Sequence, residues 1–253
     1  MLAVISPAKK MDFKPVEGLN SSTPDFVSDA NTLAKHARKL SVSDLRAMMK
    51  ISEDLAKLNR ERFQAFSESP DDRATKQAAF AFAGDTYMGL QAANLSTDDL
   101  AYAQEHLRIL SGLYGVLRPL DRIQPYRLEM GRKLATKSGN TLYAYWNDRI
   151  GAALDHAADG VIVNLASNEY FKAAGKKMAS RVITPAFKEE REDGLKMIGL
   201  FAKKARGAMA RFIVQNRIET VDGLKDFNTD GYGFRTDLSG ENDWVFSRVT
   251  PRA

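Results

Sequence analysis

The chain has no cysteine among its 253 residues. Disulfides, thiolate metal sites, iron–sulfur ligation and thiol redox chemistry are therefore excluded together. Histidine is almost as scarce. His36, His106 and His156 stand far apart with no H-x-x-x-H spacing, so no transition-metal site and no bound cofactor are expected, and only a carboxylate site for a hard cation stays open. No apolar run approaches the roughly 18 residues of a membrane span, so no membrane partner is expected. The start, Met1-Leu-Ala-Val-Ile-Ser-Pro, is too short for a secretory apolar region and lacks a basic lead, which points to a cytoplasmic protein. Dinucleotide and phosphate-loop glycine patterns, a Ser/His/Asp set and zinc-finger spacings are all missing. So are repeats, low-complexity tracts and linkers.

What is present is a globular mix, 44% hydrophobic and 27% charged, with positive charge concentrated in one segment. Between Lys172 and Arg217 twelve Lys and Arg stand against four Asp and Glu. That excess is larger than the whole chain's net +5, so the remainder is net acidic. Such asymmetry predicts a surface for an anionic partner, nucleic acid first; the plain alternative is a solvated basic face.

The hydrophobic pattern predicts an α+β protein: one domain over 1–253, of mixed sheet with surrounding helices. Leu2–Ser6 and Val161–Ala166 read as buried strands by their apolar runs. Helices are expected from Thr23 to about Leu40, from Asp44 to about Phe66, from about Leu142 to Ala158 and over 202–216. Phe80 and Phe82 suggest a strand ending at Gly84. Residues 181–188 and 196–201 read as one hairpin, and 232–249 as a last one. Polar clusters follow three strand exits: Lys9, Lys10 and Asp12; Asp85; and Ser167, Glu169 and Lys172. Sites often form at such exits.

The stretch from Leu107 to Lys133 is the most unusual. It breaks at Ser111-Gly112, has a second glycine at Gly115, and then carries Arg118, Arg122, Arg127, Arg132 and Lys133 among Pro119, Pro125, Asp121 and Glu129. Leu110-Ser-Gly-Leu-Tyr-Gly-Val116, between two segments of helical pattern, resembles a helix-hairpin-helix spanning about 97–124. In that motif glycines let backbone N–H groups approach a phosphate. Its common form has glycines two apart; here they are three apart.

Five motifs occur in order: Ser6-Pro-Ala-Lys9; Gly84-Asp-x-Tyr-x-Gly-Leu90; Leu107–Gly131; Asn164-Leu-Ala-Ser-x-Glu-Tyr-Phe-Lys172; and Ala202-Lys-Lys-Ala-Arg-Gly207. Together they resemble the bacterial peroxide stress protein family YaaA over nearly the whole chain. The resemblance implies a cytoplasmic protein of the hydrogen peroxide response, linked to lower free iron. It also implies an unusual α+β fold that binds DNA through a basic cleft with a helix-hairpin-helix. A chain without cysteine is then no thiol peroxidase or thiol sensor, and protection by occupying DNA fits better.

Two functional readings follow. In the first, the protein is not an enzyme and binds duplex or branched DNA without reading sequence. Gly112 and Gly115 would allow close phosphate approach. Arg118, Arg127, Arg132, Lys203, Lys204 and Arg211 would neutralise phosphates, Lys9, Lys10, Lys172 and Lys188 would line the cleft, and Tyr114 or Tyr126 would stack on an exposed base. In the second, Lys10, Asp85, Glu129 and Lys172 converge in one pocket and perform acid–base chemistry on an unspecified substrate.

Overall fold

Leu2-Ala-Val-Ile5 is apolar at every position and every side chain is buried, as expected of a strand inside a sheet covered on both faces. In the computed structural model, which describes residues 1–175 and 177–249, this strand lies at the heart of the main sheet. The eight strands of that sheet are β1 (Leu2–Ile5), β2 (Leu107–Ser111), β3 (Gly115–Leu117), β4 (Val161–Leu165), β5 (Arg181–Arg191), β6 (Gly194–Lys196), β7 (Gly233–Phe234) and β8 (Asp243–Val249). Their spatial order is β7-β8-β5-β4-β1-β2-β3, with β6 paired to β5. The central five, β8, β5, β4, β1 and β2, are parallel, and β3, β6 and β7 join antiparallel. The expected α+β class with a mixed sheet is what is found.

The parallel core places β1, β2 and β4 with their C-terminal ends on one side. From β1 the chain moves to β2, and after β3 it returns to β4 on the other side of β1. The strand order therefore reverses between β1 and β4, the place where open parallel sheets form a crevice. There Ser167 donates its N–H to Ser6 Oγ at 2.9 Å, tying the two exits together.

Against this sheet packs the helix Gly199–Gln215, whose buried face includes Ala202, Ala205, Met209 and Ile213. It in turn holds the short helix Asp85–Leu90 in close backbone contact. A Cβ on Gly207 would lie 1.7 Å from the Thr86 carbonyl oxygen, and one on Gly89 would lie 2.0 Å from that of Lys204. Two further antiparallel ladders, Lys10–Met11 with Phe82–Ala83 and Lys76–Gln77 with Arg122–Ile123, hold the loop after β1 and the approach to the 85–90 helix.

Several elements differ from the sequence expectation. Residues 107–117 form a β-hairpin, with Ile109 opposite Leu117 and Ser111 opposite Gly115; the helix before them ends at His106. The helix-hairpin-helix expected over about 97–124 gives way because this apolar run completes the sheet edge. The segment expected as one helix from Asp44 to Phe66 is instead two helices, Val42–Met49 and Glu53–Ala65. Lys50 breaks it in the left-handed region at φ 54°, and Ser52 caps the second helix. The helix expected over 142–158 is divided at Asn147 into Leu142–Trp146 and Arg149–Ala157. The hairpin at β5 is present, but its second strand is Gly194–Lys196; Gly199–Phe201 already begin a helix. The last hairpin, β7 with β8, is as expected.

Candidate functional site at the strand exits

The exits of β1 and β4, the start of the 85–90 helix and the segment after the β2–β3 hairpin enclose a cavity of about 460 Å³. Pro7, Ala8, Ala83, Leu165 and Tyr170 give it apolar walls. Ser6, Thr86, Ser167, Asp85, Glu129 and Glu169 add acceptors and hydroxyls, and Lys9, Lys10, Lys203 and Arg206 add positive charge. Both the volume and the mixed lining are those of a ligand site.

Glu129 is the most constrained group in it. The residue is only 3% exposed. Its Oε1 receives Arg127 Nη2 at 3.1 Å and Arg132 Nη2 at 3.3 Å, with Lys9 Nζ at 3.8 Å. Burial alone would push its carboxyl up, but the two guanidiniums outweigh it and hold the group below the ordinary carboxylate range. Glu129 is thus an anion at neutral pH, and its Oε2 is buried with no hydrogen-bond partner among the described residues. Arg127 Nε, Arg132 Nε and Arg206 Nε are likewise buried and unpartnered. Burial pushes the Arg206 guanidinium down, and burial plus the nearby Arg127 does the same to Arg62 of the 53–65 helix. A positive zone therefore extends from the cavity toward the helix pair. The first turn of that second helix carries Glu53 and Asp54, which oppose an anion at its N-terminus.

The other acids are also fixed. Lys203 Nζ stands 3.6 Å from Asp85 Oδ2, and Gly131 donates its N–H to Glu169 Oε1 at 3.0 Å. Among the described residues no group of three or more His, Asp and Glu is arranged to hold a metal ion.

Of the residues singled out in the sequence, Lys9, Lys10, Asp85, Glu129, Ser167, Glu169 and Lys203 meet at this cavity, and Arg127 and Arg132 reach it through Glu129. The four-residue convergence is three-quarters present, because Lys172 lies outside the lining with its ammonium 5.4 Å from the Tyr143 ring centroid. Lys188 sits on β5 beside β8, in register with Ser247. Lys204 pairs with Asp230 at 3.0 Å. Arg118 is held by Asp121 and Asp25. Arg211 donates to the carbonyls of Leu90, Gln91 and Asn94.

The glycine-turn reading is corrected by burial. Gly112 approaches a backbone, but that of Leu128: a Cβ there would lie 2.2 Å from the Leu128 carbonyl oxygen. Gly115, at φ +68°, makes room for the Trp146 ring, 2.8 Å from where a Cβ would sit. Both are core packing sites. Tyr114 and Tyr126 are buried too, their rings edge to face at 5.6 Å, so neither offers a stacking surface. Arg206 was missed by the sequence reading, although its spacing of three from Lys203 puts both on one helix face.

A family model described as "Peroxide stress protein YaaA" matches residues 1–238. The chain belongs to the peroxide stress protein YaaA family. The resemblance drawn from the five motifs is thereby upheld. Curated relatives in the family are UPF0246 proteins. That of Dinoroseobacter shibae is 54% identical over 100% of this chain and 97% of its own length. That of Roseobacter denitrificans is 53% identical over 99% of each chain. That of Maricaulis maris is 52% identical over 100% of this chain and 98% of its own. Membership ties the chain to peroxide stress. Among the described residues no helix is long and apolar enough to cross a membrane.

Proposed function

We propose that this family member acts in the cytoplasmic response to peroxide by binding DNA, duplex or branched, without reading its sequence, and so limits iron-driven damage there. One observation carries the reading: the cavity mouth gathers Lys9, Lys10 and Lys203 from distant parts of the chain, with Arg127, Arg132 and Arg206 behind them. Six cations against Asp85, Glu129 and Glu169 leave a positive excess suited to a phosphate backbone. The test is fluorescence anisotropy of duplex, single-stranded and four-way-junction DNA across a salt series. Wild type is expected to bind with a steep negative dependence on log salt. A Lys9→Ala/Lys10→Ala variant is expected to lose about 2 from that slope, roughly 0.9 for each phosphate contact removed. Affinity that does not fall with salt refutes the reading.

A second reading, an enzyme, is favoured by the meeting of Lys10, Asp85 and Glu129 in one cavity at the strand-order reversal. Asp85→Asn separates the two. As a binder the variant holds DNA more tightly, because Lys203 is freed of its counter-ion; an enzyme that needs the carboxylate gains nothing from its loss.

A further inference from the structure

We infer that the cavity receives one nucleotide turned out of a DNA strand, with its base inside against the carboxylates and its flanking phosphates on the lysines at the mouth. The inference rests on the DNA-binding reading above and specifies what enters the site.

Three features support it. The first is the division of charge. The acids Asp85, Glu129 and Glu169 line the same cavity as Lys9, Lys10 and Lys203, and those lysines are largely exposed while Glu129 is 3% exposed. A ligand that is anionic throughout fits the mouth but meets the buried carboxylate. A ligand with an anionic backbone and a neutral head that carries N–H donors suits both, and a nucleotide has that polarity.

The second is Glu129, which lines the cavity and whose Oε2 has no hydrogen-bond partner among the described residues. A buried carboxylate oxygen left without a donor is unfavourable. Arg127 and Arg132 keep Glu129 ionised, so it can only accept. The group that completes it must bring an N–H or O–H. Exocyclic amino groups and ring N–H groups of bases do so, and a phosphate does not.

The third is shape. Pro7, Ala8, Leu165 and Tyr170 provide apolar surface beside these acceptors, in about 460 Å³. Proteins that hold an extruded base combine apolar contact with its faces and hydrogen bonds to its edge. The hydrogen bond from Ser167 N–H to Ser6 Oγ, 2.9 Å, joins the two strand exits at this space. An unpaired or mismatched base is the least costly to turn out, so branched and mismatched DNA should be preferred over perfect duplex.

The experiment uses duplexes with 2-aminopurine placed at a mismatch, following anisotropy and 2-aminopurine fluorescence together. Wild type should raise the fluorescence several-fold as it binds, because the base leaves its stacked neighbours. Ala8→Phe, which narrows the cavity without removing a cation, should leave the fluorescence at the free-duplex level at DNA concentrations where the anisotropy shows it bound. Competition by millimolar deoxynucleoside monophosphate on wild type gives the same answer without a variant: the fluorescence gain should fall before the anisotropy does. DNA binding with 2-aminopurine still quenched, or a gain that survives both narrowing and competition, overturns the inference alone. No anisotropy change with any DNA overturns the binding reading and this inference with it.

Discussion

Glu129 faces cations on one oxygen and has no hydrogen-bond partner among the described residues on the other, and this asymmetry governs how the site responds to mutation. Replacing it by Gln removes the counter-charge of Arg127 and Arg132, which are mostly buried. Breaking such a cluster from one side is destabilising. Allowing for partial solvent screening of the guanidiniums, we expect Glu129→Gln to lower unfolding stability by about 2–3 kcal/mol in urea denaturation at neutral pH. The pH dependence has a definite sign. The folded-state pKa lies below the ordinary 4.5, so this stabilisation is complete above that value and is lost as pH falls through the depressed one. The stability gap between wild type and variant should therefore narrow below about pH 4.5, as thermal melts over a pH series would detect. A gap that stays constant into acid would show that Glu129 acts through packing and not through charge.

At the scale of elements, two junctions are decided by backbone and not by side-chain chemistry. Lys50 ends the Val42–Met49 helix in the left-handed region, where a side chain is strained. Lys50→Gly should stabilise the protein by about 1 kcal/mol, read as a raised urea midpoint with unchanged m. Gly207 lies where the 199–215 helix meets the 85–90 helix, and the missing Cβ is what allows that contact. Gly207→Ala should cost about 3 kcal/mol and shift Asp85 away from Lys203. These junctions also mark the limits of what the sequence reveals. The strands at Leu2–Ile5 and Val161–Leu165 are legible as apolar runs closed by Pro7 and Ser167, and the polar exits that build the cavity are legible with them. Lys50 is not legible as a break, because nothing in Met49-Lys-Ile-Ser52 resembles the glycine usually found there. Leu107–Leu117 reads as the end of a helix because a short apolar run does not distinguish helix from strand, and its pairing with β1 is a long-range fact. Arg206 and the unpartnered oxygen of Glu129 emerge only when the 199–215 helix is laid over strands nearly two hundred residues earlier.

Over the whole molecule, the basic segment and the cation-ringed cavity overlap only in Lys203 and Arg206. Much of the excess between Lys172 and Arg217 is matched nearby: Lys177 by Asp148, Lys196 by Asp193, Lys204 by Asp230 and Arg217 by Asp99. The cavity takes Lys203 and Arg206 from this segment and its other cations from the N-terminal exit and the segment after the β2–β3 hairpin. Local contact and long-range attraction can therefore be separated by variants of equal charge. Lys9→Ala/Lys10→Ala and Lys177→Ala/Lys196→Ala each remove two positive charges. If DNA is attracted by net charge alone, both pairs should weaken binding alike, since the field of a protein sums over all its charges and differs little at a distance. If phosphates are seated at the cavity mouth, only the first pair should lose about 2 from the slope of log affinity against log salt, while the second keeps the wild-type slope. Equal effects of the two pairs would move the DNA surface off the strand exits and onto the basic segment as a whole.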